Sequence, residues 1–330
     1  MERAKEHGAA DREDGARRNV RHKAAGSADE ERTDASIDDA DESQEQAQRD
    51  DRAAAGVDDA VSDRVAPRDI ENVACWVDAH VHLDAMDQAA RAWALARAAE
   101  GKYRGLIPGV DALQWEKAFE DFGAYETIDF AVGMHPWELT RGGLAVSDWK
   151  DRLVRALDHP RVVAMGEIGL DWVHFKEDED RARSDHLFIE QLEIARAHDV
   201  PVILHVVKAH ARAVEILKEH GQGLRGMVHA FSGSLEELRN YNDLGWHVGI
   251  GTLATYTNAH RAIDVAREVP DGMWLLETDG PYLAPGRGRR DSGVSEDICT
   301  VSSVIAEIRG VGVDEVCAAA LSTYRALFHS

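Results

Sequence analysis

The chain is poor in cysteine, has no long apolar run, and its first seventy residues contain no Phe, Trp, Tyr or Leu. Each lack excludes something. Cys75, Cys299 and Cys317 are odd in number, widely spaced and without a C-x-x-C pair, which supports neither a disulfide framework nor a cysteine zinc site. They read as small core residues in a reducing compartment. No apolar stretch reaches the roughly eighteen residues that a membrane helix needs, and the opening residues are polar where a signal peptide has an apolar core. The expected location is cytoplasmic. Residues 1–70 carry 12 Lys+Arg against 20 Asp+Glu, and so acidic a segment, without large apolar side chains, cannot bury enough surface to offset its ordering entropy. The expected organisation is a disordered acidic tail over 1–70 and one folded domain over 71–330.

Lysine is also scarce. There are 30 Arg against 8 Lys, and the formal net charge is -23. A strong negative field repels nucleic acid and anionic membranes at long range, so a phosphate-bearing partner has to be captured at a local site. An Asp-rich, Lys-poor surface is expected of a salt-adapted protein whose self-repulsion is screened; a GC-rich genome would favour Arg over Lys too.

What is present, from residue 75 onward, is alternation. Short apolar runs predict strands at about 75–83, 105–110, 127–134, 162–169, 200–207, 226–232, 246–252 and 273–279. Between them lie amphipathic stretches near 86–103, 112–123, 145–158, 180–198, 209–220, 235–244 and 258–268, with a terminal pair at 296–308 and 313–328. In the fourth of these, Phe188, Leu192 and Ala195 follow helical spacing while Glu190, Glu193 and Arg196 fall off that stripe. Eight β-then-α units over roughly 250 residues match the length and period of a (β/α)8 TIM barrel. A doubly wound sheet alternates likewise, but its G-x-G-x-x-G turn is missing, since the first strand runs into His80-Val81-His82-Leu83-Asp84.

Ionisable side chains interrupt the apolar strands at their C-terminal ends. His80 and His82 stand at the end of strand one, Glu167 of strand four, His205 of strand five and Asp279 of strand eight, with His229 in strand six. In a barrel these ends converge on one face, so residues far apart in sequence meet in one pocket. Strand alternation sends His80 and His82 the same way. Four imidazoles and two carboxylates suit one or two divalent cations such as Zn, Mn, Ni or Mg. Glu167 is the natural bridge between two ions, and Asp279 has a spare oxygen to accept a proton from an activated water.

The motifs DAHVHLD (78–84), GMHPWE (133–138), AMGEIGLDW (164–172), VPVILHVVKAH (200–210), VHAFSGS (228–234) and LLETDGPYLAP (275–285) resemble, in order, those of the TatD family of metal-dependent hydrolases. The resemblance spans about 75 to 328. It implies that His80, His82, Glu167, His205, His229 and Asp279 are metal ligands, that His135 contacts substrate phosphate, and that the reaction is Mg-, Mn- or Zn-dependent phosphodiester hydrolysis with two ions. DNase activity of 3′-to-5′ exonuclease character is the family's common form, with DNA ends as partner. Asp279, Glu167 and His135 are then the catalytic candidates. The chain departs from the pattern at three places. Lys208 is displaced by one position from the usual cation after strand five, Trp137 replaces a second histidine, and Ser295-Glu296-Asp297 stands where an N-E-P turn is usual. Trp137 either stacks on a base or packs the rim. Arg287, Arg289 and Arg290 follow strand eight on the active face, and are the candidate landing for a phosphate backbone; Asp171 is placed to orient a ligand or substrate. Two other readings stay open: hydrolysis of a small ester, amide or aminoacyl bond by the same metal set, and a non-catalytic scaffold stabilised by metal.

Overall fold

Eight parallel strands follow one another round a barrel in the order of the sequence. The computed structural model describes residues 73–141, 148–286 and 292–329; the acidic segment expected over 1–70 and the arginines Arg287, Arg289 and Arg290 lie outside the described residues. The strands are β1 (Trp76–Asp78), β2 (Tyr103–Ile107), β3 (Ile128–Val132), β4 (Val162–Asp171), β5 (Val202–Val207), β6 (Gly226–Val228), β7 (His247–Ile250) and β8 (Trp274–Leu276). Helices α1 (Gln88–Ala99), α2 (Ala112–Phe122), α3 (Glu138–Arg141), α4 (Trp149–Leu157), α5 (Asp178–His198), α6 (His210–His220), α7 (Leu235–Asp243), α8 (His260–Glu268), α9 (Asp297–Arg309) and α10 (Val313–Phe328) form the outer layer. This is the expected (β/α)8 architecture. Every strand predicted from the apolar runs is present, and the short α3 and a 3-10 turn at Thr252–Thr255 are additions.

The strands are buried on both faces, which is why they read as continuous apolar runs rather than as alternating ones. Short polar side chains cap three of the helix starts among the described residues. Asp111 accepts from the Leu113 and Gln114 N–H groups, and Ser234 and Glu237 form a reciprocal capping box at α7. Asp87 caps α1 and so trims the helix expected from residue 86.

Strands one and eight are shorter than the apolar runs imply, and the reason lies at the seam between them. Past Asp78 the chain bonds across to the other end of the barrel: Ala79 N–H donates to Leu276 O (2.8 Å), Asp279 N–H to His80 O (2.9 Å) and His82 N–H to Gly280 O (2.8 Å). The buried Asp78 carboxylate accepts from Thr278 N–H (2.9 Å) and Thr278 Oγ1–H (2.7 Å), drawing Thr278 out of the β7 ladder. Asp279 then takes a left-handed φ of 57°. The segments carrying His80, His82 and Asp279 are therefore held against each other by the closure of the barrel itself.

The opposite, N-terminal side carries its own polar hub. Asp129 of β3 is fully buried and receives Arg104 (2.7 Å), Arg161 (3.2 Å), the Tyr324 hydroxyl (2.9 Å) and His329 (3.0 Å). This ties α10 to the barrel floor.

Candidate metal centre

All six expected ligands are buried and lie within one cluster at the C-terminal ends of the strands. Glu167 sits at the middle. Its Oε1 faces His80 Nε2 (3.4 Å) and His82 Nε2 (3.3 Å), while its Oε2 faces His229 Nε2 (2.9 Å) and His205 Nδ1 (3.5 Å). Asp279 Oδ1 completes the first group at 3.6 Å from His80 Nε2 and 3.7 Å from His82 Nε2. His205 Nδ1 and His229 Nε2 are 3.1 Å apart in the second. His80 stacks flat on His229, with centroids 4.0 Å apart and planes 7° from parallel. Sequence alternation expected His80 and His82 to share a side by lying in β1. They do share it, but from the turn beyond β1, because the strand ladder stops at Asp78.

Backbone geometry brings these groups together. Gly169 has a φ of 139°, and a Cβ there would stand 2.2 Å from His205 O, so only glycine lets β4 approach β5 this closely beside the ligand. Gln191 of α5 clamps the end of β3, accepting from Met134 N–H (2.7 Å) and donating to Met134 O (3.0 Å), which sets the following His135.

The donor set fits metal ions. Bonds of about 2.0–2.2 Å to nitrogen and oxygen put neighbouring ligand atoms about 3–3.5 Å apart, close to the spacings within both groups. His80 Nε2, which faces Glu167 and Asp279, is buried without a hydrogen-bond partner, an arrangement that is costly for an imidazole unless a cation takes up its lone pair. Burial, reinforced by His229 and His82, pushes the His80 pKa down to about 3, leaving the ring neutral as ligation requires. For His205, burial opposes the charged form but is outweighed by Asp171 and Glu167, and the pKa rises to about 10; His82 rises to about 9 for the same kind of reason, with Glu167 and Asp279 as the carboxylates. Such carboxylate-rich surroundings attract either protons or metal cations, and the two compete.

His135 lies at the edge, with Nε2 3.9 Å from Glu167 Oε2, and with Glu167 and His205 it forms a third potential metal-binding triad. Its tautomer separates it from the others. Trp137 N–H can only donate, and it donates to His135 Nδ1 at 3.2 Å. In the neutral ring the proton is then on Nε2, which faces the cluster as a donor. Burial and the neighbouring His205 hold its pKa well below the usual value, so the ring stays neutral. Asp171 lies where an orienting residue is expected: its Oδ2 faces His205 Nε2 at 3.2 Å. Lys208 is exposed, with a left-handed φ of 54°.

Three residues that bear on the site were not singled out in the sequence. Asp78 and Thr278 join the segments bearing His80 and Asp279, and the buried Glu277 accepts the Ala230 N–H next to His229. Asp78 stands two places before His80 and Thr278 one place before Asp279, but no periodicity distinguishes a seam clasp from ordinary strand polarity.

Among the described residues, no helix is long and apolar enough to cross a membrane. Comparison with known proteins places the site in context. The family model of TatD-related DNases matches residues 77–329. The chain is 33% identical to the uncharacterized metal-dependent hydrolase YjjV of Escherichia coli K12, over 77% of this chain and 98% of that protein. It is 31% identical to the 3′-5′ ssDNA/RNA exonuclease TatD of Erwinia amylovora, over 70% of this chain and 91% of that protein. Among solved structures, the E. coli YjjV crystal structure superposes with a TM-score of 0.69 at 30% identity, covering 77% of this chain and 98% of that one. A TatD-family hydrolase from Entamoeba histolytica gives 0.65 at 19% identity, over 78% of this chain and 98% of that one, a likeness of fold.

Proposed function

Because the chain belongs to the TatD family of metal-dependent hydrolases, we propose that it is a two-ion phosphodiesterase that removes nucleotides from DNA ends, of the 3′-to-5′ exonuclease kind. One observation carries the reading: Glu167 turns one oxygen to the His80–His82–Asp279 group and the other to the His205–His229 group. That arrangement supports a carboxylate that two cations would share. In this reading His80, His82, Glu167 and Asp279 would hold one ion, and Glu167, His205 and His229 the other. Divalent cations held there supply Lewis acidity, activating water and stabilising charge on the oxygens of the bond being cleaved. Mg, Mn and Zn are the ions this mixed oxygen and nitrogen set suits.

The chain's own groups do the rest. Asp279 keeps a second carboxylate oxygen to take the proton of the attacking water. The Nε2–H of His135 donates to a non-bridging phosphate oxygen, and a neutral donor does so without titrating across the working pH range. Asp171 holds His205 in place from behind. Arg287 and Arg289 are the proposed contacts to the phosphate backbone, offsetting locally a field that otherwise repels DNA. The name of the Erwinia relative, a single-strand exonuclease, supports the choice of substrate class.

The test is turnover of end-labelled single-stranded DNA by metal-stripped protein re-supplied with Mg, Mn or Zn, at low and at molar salt, beside an Asp279→Asn control. Metal-dependent release of terminal nucleotides, lost in the control, is the expected result. Absence of cleavage in protein that has taken up two ions would move the reading to a small ester, amide or aminoacyl substrate.

A further inference from the structure

The structure gives the Trp137 indole a specific task. The ring is only 5% exposed, so it offers no platform for a base. It meets His135 edge-on (centroids 5.1 Å apart), stacks on His174 (5.1 Å, 24°) and lies under the Arg141 guanidinium (4.8 Å). Its Nε1–H points inward and donates to Asp171 Oδ2 at 2.9 Å. That same oxygen faces His205 Nε2 at 3.2 Å. The other Asp171 oxygen is occupied by the Val173 and His174 N–H groups, each at 2.9 Å.

Four donors thus surround one buried carboxylate, which leaves it no freedom to turn. A carboxylate only accepts, so His205 Nε2 carries a proton, and in the neutral ring that metal binding requires the lone pair is then on Nδ1, which faces Glu167 and His229. We propose that Trp137 is a positioning residue: acting through Asp171, it locks the tautomer and rotamer of His205 and so sets the strength of ion binding at the Glu167–His205–His229 half of the site. This rests on the two-ion reading above. An indole N–H is a donor at every pH and has no lone pair to offer, whereas a histidine in the same place can lose that function by presenting its acceptor nitrogen. In this chain the support of His205 is therefore independent of any titration at position 137.

The experiment is calorimetric titration of metal-stripped full-length protein with Mn, for the wild type, Trp137→Phe, Asp171→Asn and the double variant, with far-UV circular dichroism to confirm folding. Phe keeps the ring packing and loses only the donor. Trp137→Phe is expected to weaken one of two binding steps about tenfold, the size of a lost hydrogen bond to a charged group, and leave the other unchanged. Asp171→Asn is expected to weaken the same step by about 10–100-fold, and the double variant to be no weaker than Asp171→Asn alone, because Trp137 works through that carboxylate. Trp137→His, which restores an N–H donor, should recover part of the loss. A Trp137→Phe protein that titrates like the wild type, or whose loss adds in full to that of Asp171→Asn, would overturn the inference. A wild type that takes up a single ion would overturn the two-ion reading and this inference with it.

Discussion

Replacing Glu167 with glutamine preserves shape but breaks the symmetry on which the site depends. The carboxylate presents an acceptor oxygen to each group, at 3.3–3.4 Å from His82 and His80 and at 2.9–3.5 Å from His229 and His205. An amide has one oxygen, and its nitrogen has no lone pair for a cation. Whichever way the Gln side chain turns, one group of imidazoles faces an NH2 and loses its shared ligand. On the two-ion reading, ion uptake is therefore expected to fall from two to one. The remaining ion is weakened as well, since a unit charge pair at about 4 Å and an effective dielectric of about 20 is worth about 4 kcal/mol. Loss of one Lewis acid removes several kcal/mol of transition-state stabilisation; at about 1.4 kcal/mol per tenfold, a loss of about 4 kcal/mol lowers kcat about 1000-fold. Metal content after dialysis, by plasma mass spectrometry, reads the first effect, and single-turnover cleavage under saturating metal reads the second. A Glu167→Gln protein that retains two ions and turns over within about tenfold of the wild type would refute the argument.

Two predictions concern the framework. Asp129→Asn leaves Arg104 and Arg161 without their buried carboxylate, and should cost about 3 kcal/mol in urea unfolding. Burial works against ionised Asp129, but His329, Arg104 and Tyr324 outweigh it and hold its pKa below the usual value. A depressed folded pKa means that this stability is fully present above the unfolded pKa of about 3.9 and is lost as pH falls through the folded value. The gap between wild type and variant should therefore be constant near neutrality and narrow below about pH 4; a gap that widens on acidification contradicts the sign. Thr278→Val, close in shape, removes the hydroxyl donated to Asp78 at 2.7 Å and should lower stability by about 1–3 kcal/mol at an unchanged denaturant m-value. An unaltered unfolding midpoint would show that the β1–β8 seam does not need that bond.

Much of the site was legible before any coordinates. His80, His82, Glu167, His205, His229 and Asp279 interrupt apolar runs that would otherwise be uniform, and a polar residue in such a run is informative because burying it is costly. Their common location follows from the period alone, since a closed barrel brings all C-terminal strand ends to one face. Motif order carried the family. Other features were not readable. Whether Trp137 stacks on substrate or packs inward depends on the distance to Asp171, thirty-four positions away. The tautomers of His135 and His205 follow from single partners, a backbone N–H donor for one and a carboxylate acceptor for the other, that no spacing reveals. The ladders at β1, β6 and β8 are shorter than the runs read from the sequence, and at β1 and β8 this is because the backbone bonds beyond Asp78 and Leu276 run across the seam rather than in a regular ladder.

The sequence by itself determined the barrel, the ring of strand-end histidines and carboxylates and the likeness to metal-dependent hydrolases, because periodicity and the cost of buried polar groups act locally along the chain. Only the tertiary structure decided that Glu167 divides its oxygens between two groups, that Asp78 clasps Thr278 across the seam, and that Trp137 reaches His205 through Asp171. Each of these is a hydrogen-bond or ion contact between residues tens to hundreds of positions apart, and such contacts exist only once strands of fixed register bring side chains within about 3 Å.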